Sequence, residues 1–145
     1  MENGSVFGAP AGFSSTTDRS VTRALVMVLL HFAGALVHGA AHLHYEIPLE
    51  PWQKAYIVVV ITIAPLVAGI LLWRGRLRAG AWLLLVSMGG SLLFGLAFHF
   101  FLLGPDHVSS VNMEGWGATF QATAFLLAVT EAVGMLAAVR VLRAL

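Results

Sequence analysis

Apolar residues gather into four stretches, near 24–44, 53–73, 80–103 and 116–139. Each is long enough to cross a hydrocarbon core, which takes ~20 residues of helix. Backbone groups in lipid must be satisfied within a helix or a closed barrel, and these stretches have helix length. The pattern therefore predicts an all-α protein, an integral membrane four-helix transmembrane bundle over 23–145. Residues 1–22 are rich in Gly, Ser and Thr and lack the basic start and apolar core of a signal peptide. They read as a retained cytoplasmic N-terminal tail, with Asp18 or Ser20 placed to cap the first helix. Pro65 falls inside the second stretch and predicts a kink with a freed carbonyl near the membrane middle. Pro48, Pro51 and Pro105 mark loops and helix starts.

Composition strengthens this picture. The chain is 59% hydrophobic and 10% charged, whereas soluble domains carry ~25% charged residues. The lipid bilayer is thus its first partner. Charge placement sets the orientation. Arg19 and Arg23 precede the first span, Arg74, Arg76 and Arg78 join the second to the third, and Arg140 and Arg143 close the fourth. Glu46, Glu50, Asp106 and Glu114 fall in the opposite loops, with Lys54 the sole cation there. The positive-inside rule then puts both termini in the cytoplasm, as for a multi-pass protein of a bacterial inner membrane. Trp52 and Trp116 fall at the outer headgroup level, Trp73 and Trp82 at the inner one. A net charge of +1 gives no basis for nucleic-acid binding.

The chain has no cysteine, which excludes thiolate ligands, disulfides and haem attached through Cys-x-x-Cys-His. It has no Gly-x-x-x-x-Gly-Lys loop, no Gly-x-Ser-x-Gly elbow and no His-Glu-x-x-His helix. No lysine lies deep in a span, which argues against a retinal-type Schiff base.

Histidine carries the candidate chemistry. His31, His38 and His42 share one face of the first span, because steps of seven and four at ~100° per residue return the direction to within about 40°. His99 lies near the same end of the third span. His38 and His42 form an i,i+4 chelating pair, and His99 adds a third imidazole at similar depth. Two cofactor schemes fit this spacing. One is a b-type haem held by His38 or His42 and His99, with Gly34 and Gly95 letting the macrocycle approach the backbone. The other is a copper, zinc or iron ion on His38, His42 and His99 with an open coordination position. In a third reading the histidines are structural, and the protein is a cofactor-free accessory or scaffold subunit.

The spans also pair as two hairpins of like design. Gly34 precedes His38 by four residues and Gly95 precedes His99 by four, and each hairpin has an outer Glu-x-Trp, Glu50-Pro51-Trp52 and Glu114-Gly115-Trp116. That likeness suggests parallel repeats with His38 and His99 at equal depth. Four spans with interior histidines, carried by the Gly-x-x-x-His motifs, resemble the layout of small mono-haem and di-haem cytochrome b proteins of respiratory chains. The resemblance implies a membrane-embedded electron-transfer subunit with partner subunits or further copies of itself. It leaves open whether the chain is itself an enzyme, and no catalytic residue is assigned.

Deeper in the membrane, His31 and Glu131 are matched in depth, ~12–14 Å from the inner boundary at 1.5 Å per residue. A carboxylate there must be protonated, paired or hydrated. The two are expected to meet, as a polar clasp, a proton relay or a contact to a quinone. Gln121, Thr123 and Thr130 on the fourth span could extend a polar track outward.

Overall fold

The computed structural model describes residues 15–145. Four long helices account for most of them: α1 (Ser15–His44), α2 (Pro51–Trp73), α3 (Leu77–Phe101) and α4 (Trp116–Arg143). No strand occurs among the described residues. All four are long and apolar enough to cross a membrane. The expected ends at residues 44 and 73 coincide with those of α1 and α2. The start of α1 does not. The helix is already formed at Ser15, so Asp18 stands in its first turn and Ser20 is buried on its flank. Neither is a cap; Asp18 there favours the positive helix end. Residues 1–14 of the expected tail lie outside the described residues.

Short connections make successive helices antiparallel neighbours. The chain leaves α1 through Glu46 at φ 48°, and the Ile47 amide donates back to the His42 carbonyl at 3.2 Å. A left-handed residue closing the last turn is a common helix stop. Pro51 then opens α2, with Glu50 and Gln53 capping it reciprocally.

α1 lies along α4, α4 along α3 and α3 along α2, and the second half of α2 returns to α1. The end bearing the arginines is filled by a core that includes Val28, Leu72, Leu84, Met88 and Val141. Small residues permit this closeness: a Cβ on Gly80 would sit 2.9 Å from the Leu72 backbone nitrogen. The half toward the acidic loops is different. Residues 51–60 of α2 lie on the α3 side, with Tyr56 stacked on Phe94 at 5.0 Å, and stand apart from α1. A cavity of about 960 Å³ lies between them and reaches the interior of the helix packing.

Two helices widen to π-helical turns, at Ile57–Ile63 and Leu96–Phe101. The first precedes Pro65, which removes the amide that would meet the Ile61 carbonyl in an α-helix. His31 Nε2 donates to that carbonyl at 2.9 Å. The second contains His99 and ends with Leu102 N donating to Ala97 O at 2.7 Å. A π turn rotates the residues beyond it, and such turns often mark functional sites.

Candidate metal centre

His38 and His42 leave α1 one turn apart, and His99 meets them from the π turn of α3. All three offer a ligand nitrogen within 4.8 Å of the others, and the group could hold a metal ion. His38 Nε2 lies 3.3 Å from His99 Nε2 and 3.2 Å from His42 Nε2. Phe120 of α4 lies stacked on the His38 ring at 4.8 Å and forms the apolar floor.

The hydrogen bonds around the rings fix where their protons sit. Thr123 Oγ1 donates its single proton to a backbone carbonyl of its own helix, Thr119 O at 2.7 Å or Phe120 O at 3.1 Å. With its proton on that carbonyl, the hydroxyl accepts from His38 Nδ1, 2.9 Å away. His99 Nδ1 faces the Asp106 backbone carbonyl at 2.9 Å, which can only accept. Both rings thus carry hydrogen on Nδ1, and in their neutral forms both Nε2 atoms are acceptors. Those two acceptors face each other across 3.3 Å. His42 Nε2, 3.2 Å from His38 Nε2, can donate to one of them; a cation would satisfy both.

Asp106 comes from the 102–115 loop, which folds back over the site and buries its side chain. Its Oδ1 lies 3.1 Å from His42 Nε2 and 3.2 Å from His99 Nδ1, yet makes no aligned hydrogen bond. Burial works against its charge, but the neighbouring His42 and His99 imidazoles outweigh burial and hold the carboxyl well below the usual carboxylate range. A buried negative charge beside imidazoles orients them and favours a cation at their free nitrogens.

The remaining site residues are more scattered. Gly95 lines the cavity; a Cβ there would lie 3.8 Å from His99 Cδ2 and 4.0 Å from Glu131 Oε2. Gly34 instead faces α4, where a Cβ would meet Leu127 at 3.3 Å. The two glycines of the Gly-x-x-x-His motifs therefore serve different neighbours. His44 stacks on Trp116, and His107 is held by Ser109 and the Phe100 carbonyl, so neither joins the cluster. Thr130 bonds its own helix and Gln121 reaches the Val111 carbonyl. With Thr123 turned to His38, these three form no continuous polar track. His31 and Glu131 are both buried and come within 3.7 Å, His31 Nδ1 to Glu131 Oε1. That is an ion-pair distance and too long for a hydrogen bond.

Comparison with protein-family models, with curated proteins and with solved structures finds no match to this chain. The functional reading rests on the geometry.

Asp106 and Thr123 are the residues that sequence reasoning left out of the site. Asp106 was legible only as one acid in an outer loop. Its nearness to the motif of Gly95 and His99 was the available signal, seven residues after His99. Thr123 stood out only as part of a polar track on the fourth span, because threonine in apolar helices usually bonds its own backbone and nothing local ties it to His38.

Proposed function

We propose that the protein is a membrane-embedded metalloprotein. In this reading its helices form a transmembrane bundle with both termini in the cytoplasm. A first-row transition ion is held by Nε2 of His38, His42 and His99 near the outer face. The observation that carries it is the spacing of the nitrogens. Metal–imidazole bonds of ~2.0–2.1 Å at a tetrahedral angle put neighbouring ligand nitrogens roughly 3.3–3.4 Å apart. The two Nε2 separations from His38 are 3.3 and 3.2 Å, the three ligand nitrogens lie within 4.8 Å of one another, and the His38 and His99 lone pairs turn inward.

Imidazoles without thiolates suit copper, zinc or iron. Three protein ligands with a further position toward a cavity match a catalytic metal rather than a purely structural one. His38, His42, His99 and Asp106 all line the cavity, so that position would face its apolar interior.

A b-type haem between His38 and His99, serving electron transfer, draws less support. Ligands on opposite faces of an iron would have nitrogens ~4 Å apart at bonds of about 2 Å, with the macrocycle spreading sideways between them. Here the nitrogens are closer, and His42 and Phe120 crowd the rim. In a cofactor-free cluster His42 Nε2 would donate to His38 Nε2, leaving the His99 Nε2 lone pair facing that nitrogen across 3.3 Å.

The test is elemental analysis of protein purified without added chelator, with a visible absorption spectrum of the same sample. The metal reading expects a stoichiometric first-row metal that disappears in His99→Ala, and no haem band. Stoichiometric haem, or wild-type protein free of both and unable to take up Cu, Zn or Fe on titration, would overturn it.

A further inference from the structure

The cavity has two polar ends and an apolar body. The histidine cluster stands at one end. At the other, three buried polar groups are left over. Ser91 Oγ is enclosed without a hydrogen-bond partner, and so is His31 Nδ1. Glu131, 3% exposed, makes no hydrogen bond to any described residue and stands 3.7 Å from His31 Nδ1. Ser91 and Glu131 both line the cavity. Leftover groups of this kind are uncommon in folded proteins, and two on one cavity wall point to a missing partner.

The protonation pattern narrows what that partner is. His31 Nε2 donates to Ile61 O, so neutral His31 presents an acceptor at Nδ1. Ser91 both donates and accepts, as a carboxyl group does when protonated and as it cannot when ionised. A hydroxyl oxygen, donor and acceptor at once, matches this set. A carbonyl offers no proton and an ammonium offers no lone pair. The body of the cavity calls for hydrocarbon: Ala35, Leu36, Ile57, Val58 and Leu127 supply its sides. Water could satisfy the polar end, but water alone is a poor filling for apolar walls. Access is from the side. Residues 51–60 of α2 stand apart from α1, and Leu36 and Val58 at the gap are 59% and 52% exposed. On a membrane-spanning helix those residues face lipid.

We infer that this cavity binds a membrane-soluble molecule with an apolar chain and a hydroxyl head, entering between α1 and α2, its head held by Glu131 and Ser91. This deepens the metal reading, since the head would lie on the side to which the metal's open position faces. Glu131 Oε2 and the His99 ring both border the space above Gly95. The chemistry is shared by long-chain alcohols and by quinols, and the test separates them.

The experiment uses the full chain in lipid nanodiscs, with empty discs as the partition control, and measures binding of 1-dodecanol, decylubiquinol and dodecane. The hydroxyl compounds should bind at least about tenfold more tightly than dodecane, the worth of a hydrogen bond in an apolar site. Decylubiquinol ahead of dodecanol assigns the site to quinols; parity assigns it to alcohols in general. Glu131→Leu should abolish most of the preference, Ser91→Ala, a milder change, part of it. Ala128→Phe, on the cavity wall, should weaken all three ligands. The metal-free variant His99→Ala should keep the preference, so a failed metal reading and a failed cavity reading give different results. Equal binding of dodecanol and dodecane, or a preference untouched in both Glu131→Leu and Ser91→Ala, would overturn the inference.

Discussion

The two ends of the cavity are built from the same residue types, histidine and a carboxylate, and finished in opposite ways. At the acidic-loop end, Thr123 holds His38 and the Asp106 carbonyl holds His99, so these two imidazoles are each fixed in one tautomer with Nε2 turned toward the other, and His42 Nε2 lies 3.2 Å from that of His38. At the deeper end, His31 is fixed on only one side by Ile61, and Glu131 stands 3.7 Å off without a hydrogen bond. The first set is preorganised around a point, as metal ligands are. The second leaves its polar capacity unused, as a ligand-binding wall does before its ligand arrives. Resemblance in composition thus conceals a difference in what each end is arranged to receive.

The largest effects should come from breaking the first end. His38→Ala or His99→Ala removes a ligand with a fixed lone pair and should lower metal affinity by more than about 100-fold, beyond the ~10–100-fold typical of outer-shell changes; competition against a chelator of known affinity measures it. Thr123→Val releases the orientation of His38, and Asp106→Asn removes the negative charge beside His42 and His99; both leave the three ligands in place, and each should cost about 10–100-fold in the same assay. If these two variants bind as tightly as the wild type, the contrast between a preorganised and an unfilled end loses its basis.

Acidification sharpens the comparison. Imidazole ligands must be neutral, so protons compete with the metal. Metal occupancy should be complete at neutral pH and fall on acidification, as protons compete for the imidazole nitrogens. Occupancy independent of pH would argue against imidazole ligation.

Smaller effects belong to the deeper end. His31→Leu should destabilise the fold by roughly 1–3 kcal/mol, because it strands the Ile61 carbonyl, whose usual amide partner is lost to Pro65. Glu131→Leu breaks no hydrogen bond among the described residues and should cost less. The double variant should stay below the wild type, because the carbonyl remains stranded. Adding Pro65→Ala supplies that amide, and thermal melts should show the triple variant above the double. A double variant already as stable as the wild type would show that the carbonyl needs no partner from His31.

The helices and the facing histidines were legible because both depend on local periodicity: four long apolar stretches, and steps of four and seven between His31, His38 and His42. Proline chemistry was legible too, since a missing amide must free a carbonyl wherever the helix lies. What escaped depends on tertiary path. Asp106 reaches the site because a loop folds back over it, and no local pattern encodes that turn. The roles of Gly34 and Gly95 were ambiguous for a related reason. An absent Cβ serves a neighbouring helix or a cavity equally well, and only the packing decides between Leu127 and open space. The start of α1 was placed too late because Arg19 and Arg23 break the apolar pattern without breaking the helix.

Metal content per chain tests the central claim most directly. Elemental analysis of the purified wild type, beside His99→Ala prepared identically, should show a single copper, zinc or iron ion per chain in the first and essentially none in the second, with both proteins helical by circular dichroism. Equal metal in the two, or none in a wild type that also refuses added metal, would contradict the account.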